Sequence, residues 1–104
     1  MKGVKSPGKG NSARREAAET MAIAALAFLA SEPEQLGRFL AATGIGPERI
    51  REAARDRGFL TGVLDHLAGD EALLIAFARS EGIEPSAVER ARSALGGFWQ
   101  QDLP

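Results

Sequence analysis

GIGPERIREAA, residues 44–54, comes back 38 residues later as GIEPSAVERAR, residues 82–92. Each copy reads as the end of one helix and the start of the next. A glycine takes the left-handed conformation that stops a helix, an isoleucine fills the corner, and a proline with its preset φ and missing amide opens the following helix. The match extends outward at the same offset. Leu36, Phe39, Ala53 and Gly58 align with Leu74, Phe77, Ala91 and Gly96, and Ile50 aligns with Val88. The repeated unit is therefore a helical hairpin. Two such units are fewer than the roughly three repeats a solenoid needs, so the expected architecture is a closed bundle in which the two hairpins face each other.

The rest of the chain fits this frame. Ser12 to Ala30 reads as a first helix, and Ser31-Glu-Pro-Glu34 matches a capping box for a second that carries Leu36, Phe39 and Leu40. Pro47 opens a short third helix with Ile50, Ala53 and Ala54 inward, ending near Asp56. Phe59, Leu60, Val63, Leu64 and Leu67 form one helical stripe before Gly69. Asp70 then caps a helix over 71–81, whose Leu73, Leu74, Ile75 and Phe77 spread around its circumference; such a helix is expected at the centre of the bundle. Pro85 opens the sixth helix, with Val88, Ala91 and Leu95 inward, and Gly96-Gly97 is expected to end it. The prediction is all-α: a compact bundle of about six helices built from two similar hairpins. Its three parts are a disordered basic arm (1–11), a helical domain (12–97) and an aromatic tail (98–104).

Composition bounds the chemistry. With 104 residues, 44% hydrophobic and 26% charged, the chain has the material for one domain with one core. It has no cysteine, which removes disulfides, thiolate metal sites and thiol nucleophiles together. The start of the chain lacks the apolar run of a secretory signal, and MAIAALAFLA (21–30) is about half the length of a membrane span. A cytoplasmic protein is expected. Five of the 13 basic residues, Lys2, Lys5, Lys9, Arg14 and Arg15, lie in the first fifteen, where there is no acid. That leaves eight against 14 acids in the remainder, a balance of about −6.

Each candidate for chemistry meets a structural reading of the same residues. Gly3 to Lys9 has the glycine and lysine spacing of a phosphate-binding loop, but Gly10 stands where Ser or Thr is required and no strand precedes it. Gly44-Ile-Gly46 serves the corner, not a nucleotide. His66, with Asp65, Asp70 and Glu71, is the one polar cluster compatible with acid/base or metal chemistry. It sits at the boundary of the helical stripe, and a single imidazole with no thiol leaves few soft ligands. No catalytic, cofactor-binding or metal residue is expected.

Two surfaces remain. MAIAALAFLA has no polar side for almost three turns, so it is either wrapped by its own bundle or offered to another chain; Met21, Ala25, Phe28 and Leu29 are the candidate contacts, with Phe98 and Trp99 from the tail. Arg49, Arg51, Arg55 and Arg57, with the basic arm, form the candidate nucleic-acid contacts. Glu48, Glu52 and Asp56 interleave with these arginines and make solvated ion pairs the competing explanation. The reading is a non-catalytic helical module that binds protein, itself included. The alternative is a nucleic-acid-associated regulator.

MAIAALAFLA, GIGPERIREAA, FLTGVLDHLAGDEALLIAFA and GIEPSAVERAR, in this order, resemble the small bacterial family called domain of unknown function 3572. The resemblance spans residues 20–97, and VLDHLAGDE (63–71) is its most specific run. It implies a compact α-helical protein, found chiefly in alphaproteobacteria, with no assigned activity and no functional residue to carry over.

Overall fold

The computed structural model describes the backbone of residues 7–101 and the side chains of residues 13–96. Among the described residues six α-helices succeed one another: α1 (Pro7–Ala30), α2 (Pro33–Thr43), α3 (Ile50–Ala53), α4 (Arg57–Ala68), α5 (Glu71–Glu81) and α6 (Pro85–Gln101), with a 3₁₀ turn at Pro47–Arg49 leading into α3. No strand occurs among the described residues.

Helix ends are set locally. α1 begins at Pro7, five residues earlier than the expected Ser12, because a proline opens a helix without leaving an amide unpaired. Of the arm expected to be disordered (1–11), residues 7–11 are helical in backbone and residues 1–6 lie outside the described residues. Pro33 forbids α1 from running on into α2 and holds Glu32 in extended backbone, φ −119° and ψ 98°, so that Glu32 is the N-cap of α2. The expected capping box at Ser31 is thereby corrected. Ser31 lies one position too early, and its hydroxyl instead donates to the carbonyl of Phe28 at 2.7 Å, closing the end of α1.

Both glycine corners form as the sequence indicates, with φ 76° at Gly44 and 69° at Gly82. They close differently. The Gly82 amide donates to Arg79 O at 3.3 Å and the Ile83 amide to Ala78 O at 2.9 Å, the paired Schellman arrangement. The Gly44 amide donates to Leu40 O at 2.8 Å, while the Ile45 amide takes the hydroxyl of Thr43 at 3.3 Å, a partner that Glu81 does not offer at the second corner. The helices beyond the two corners differ as well. Pro47 opens a 3₁₀ turn and a helix of only four residues, whereas Pro85 opens one of 17.

Asp70 caps α5 as expected, its Oδ1 accepting from the Leu73 amide at 3.2 Å. Asp56 does the same for α4, accepting from Gly58 N at 3.2 Å, which starts that helix at Arg57. Asp70→Ala is expected to cost about 1 kcal/mol in urea denaturation. Ser31→Ala, which a capping box would make equally harmful, is expected to cost under about 0.5 kcal/mol. The reverse order would contradict this assignment of caps.

The core lies where α1, α4 and α6 meet. α1 contributes Ala18, Ala22, Ala25, Leu26 and Leu29, α4 its whole predicted stripe, and α6 Val88, Ala91 and Leu95. The three fully or nearly buried alanines of α1 keep the backbones close. α5 covers α4 and α6 from outside, and α2 lies along α1. The expectation that α5 is central is therefore corrected: Leu73, Phe77 and Ala78 make its buried face, while Ile75 is 39% exposed.

The expected facing of the two hairpins is corrected: α2 packs chiefly on α1 and α5 on α4 and α6, and among the described residues no extensive contact joins the two hairpins. Each plants its repeat phenylalanine on a helix outside the repeat. Phe39 of α2 meets Phe59 of α4 at 5.6 Å between ring centres, and Phe77 of α5 meets Phe28 of α1 at 5.5 Å, both edge to face.

α6 also runs on through Gly96 and Gly97 to Gln101, where the sequence indicated a stop. Glycine costs a helix interior only about 1 kcal/mol per residue, and Leu95, 1% exposed, anchors this turn in the core. A Cβ built on Gly96 would sit 3.9 Å from Thr61 Cγ2 of α4, so the two helices are already in contact range there.

Candidate interaction surface

The apolar run of α1 is wrapped on one side only. Ala25 and Leu29, expected as contacts for a partner, are 0% exposed and belong to the core; Met21 and Phe28 are half-buried. Phe98 and Trp99 continue the backbone of α6, with side chains outside those described. The residue that does face solvent is Ile23, 50% exposed, with Thr20, Ala27 and Ala30 exposed on the same side. The sequence carried a signal for this that periodicity inside MAIAALAFLA hides. Glu16 and Thr20 mark the wet side of the preceding turns, and continuing their four- and three-residue spacing lands on Ile23 and Ala27.

The arginine-rich corner departs from the ion-pair expectation. Arg49, Arg51 and Arg55 are exposed, and among the described residues none of them pairs with Glu48, Glu52 or Asp56. Pairs at three- and four-residue spacing need a continuous helix, and here a 3₁₀ turn runs into four residues of α-helix. The acids also have other positions. The Glu48 carboxylate lies over Gly46, where a built Cβ would be 2.6 Å from its Oε2, and Asp56 caps α4. Arg57 reaches the Glu19 carboxylate of α1 at 4.0 Å, and Arg14 and Arg15 lie further along α1 toward its start. Lys9 is helical in backbone, with its side chain outside those described, and Lys2 and Lys5 lie outside the described residues. An open depression of about 370 Å³ marks the first corner, lined by Gly44, Ile45, Gly46, Arg49, Glu52, Ala53 and Asp56.

In the polar cluster around His66, three of the four side chains make contacts within the fold and Glu71 is exposed. The imidazole, half-buried, packs edge-on against Phe39 at 5.2 Å between ring centres. Asp65 accepts from Arg92 Nη1 at 2.7 Å, and Asp70 caps α5. Arg92 also donates to Glu89 at 2.7 Å. These two carboxylates, Glu89 first and then Asp65, raise the guanidinium pKa above its ordinary value. With all three side chains more than a third exposed, this bridge between α4 and α6 orients more than it stabilises. Among the described residues no group of three or more His, Asp or Glu is placed to hold a metal ion, and no helix is long and apolar enough to cross a membrane.

Fold and surface together define a small all-α protein in which, among the described residues, the most exposed large apolar side chain is Ile23 of the first helix. The chain belongs to the family described as Protein of unknown function (DUF3572), whose model matches residues 15–98. That match takes in α2 to α5 entire, with most of α1 and α6. No curated protein and no solved structure matches the chain.

Proposed function

We propose that this protein is a non-catalytic helical module that binds protein, a second copy of itself or another chain, through the solvent face of α1 around Ile23. One observation carries the reading. From Thr20 to Ala30 the outward side of α1 holds no charged residue and leaves Ile23 half exposed, while small alanines beside it let another helix approach closely. A chain with no cysteine needs no oxidising compartment, which suits a cytoplasmic role.

Sedimentation or native mass spectrometry at tens of micromolar is expected to give an oligomer, or a pull-down to retrieve a partner. Ile23→Asp is expected to weaken that association about tenfold or more, a loss on the scale of ~1.4 kcal/mol, with thermal stability unchanged. A wild-type chain that stays monomeric and retrieves nothing would end this reading.

A second reading rests on a different observation, the three guanidiniums of Arg49, Arg51 and Arg55 that have no carboxylate partner among the described residues. As a nucleic-acid contact with about three phosphates, the corner would contribute about −3 to the logarithmic salt slope, in addition to what the basic arm contributes. Changing all three arginines to alanine is expected to weaken the gel shift at low salt and to reduce the magnitude of the salt slope by about 3. Absence of any shift from the wild-type chain at low salt would dispose of the idea.

A further inference from the structure

We draw no further inference here: the strongest candidate, the open depression at the first glycine corner between Gly44 and Asp56, is an unpartnered surface hollow of mixed charge, and nothing in the structure shows what covers it.

Discussion

Phe77→Ala is expected to lower the free energy of unfolding by about 3–5 kcal/mol, read as a shift of the urea midpoint. The side chain is 0% exposed, and its removal leaves Phe28 of α1 facing a cavity at the junction with α5. Domains of this kind have about 5–15 kcal/mol in total, so the variant would stand close to unfolding. Phe39→Ala is expected to fall in the same range, because that ring is 1% exposed and touches both Phe59 and His66 of α4. The double variant separates two architectures. Hairpins that clasped each other would couple the two losses, whereas rings planted on different helices are expected to add to within about 0.5 kcal/mol. Coupling well above that, or a single loss below about 1 kcal/mol, would contradict the packing described.

The second large effect comes from adding atoms. Ala25 is 0% exposed on the face of α1 that meets the core, and Ala25→Leu has nowhere to place its extra carbons without pushing helices apart. Overpacking of this kind costs about 1–3 kcal/mol, which in a domain of this size lowers Tm by about 4 °C or more. Ala27→Leu, two residues on and exposed, is expected to leave Tm within about 3 °C of wild type. Equal behaviour of the two variants would mean that the buried and wet sides of α1 are wrongly assigned. The same pair bears on the proposed function, since a larger apolar residue at position 27 alters the surface next to Ile23 without disturbing the core.

The candidate surface was only partly legible. Within MAIAALAFLA every position is apolar, so the run itself contains no phase, and Ala25 and Leu29 look as available as Ile23. The phase lies upstream, in the polar positions Glu16 and Thr20. The arginine corner misleads in a related way. The alternation of Arg with Glu and Asp reads as paired charges on a helix, but the helix after Pro47 is too short to stack them. His66 is a simpler case: its boundary position on the stripe was visible, and what the sequence left open was the partner, Phe39, 27 residues away.

Helix beginnings and ends came from the sequence alone wherever the deciding hydrogen bond or steric bar spans a few residues. Gly44 and Gly82 turn left-handed, Pro47 and Pro85 open helical turns, and Asp70 caps α5 for reasons contained in their own neighbourhoods. Where several local signals compete, as at Ser31 against Pro33, the stricter one prevails: a ring that cannot donate or fit overrides a hydroxyl with alternative partners. Tertiary structure decided the rest. It placed α1 rather than α5 at the centre, carried α6 past two glycines, and kept the repeated hairpins apart. Each of these turns on which distant helix covers which face. Burial is a property of the assembled helices together, so one segment's pattern records that it has a greasy side without recording what lies against it.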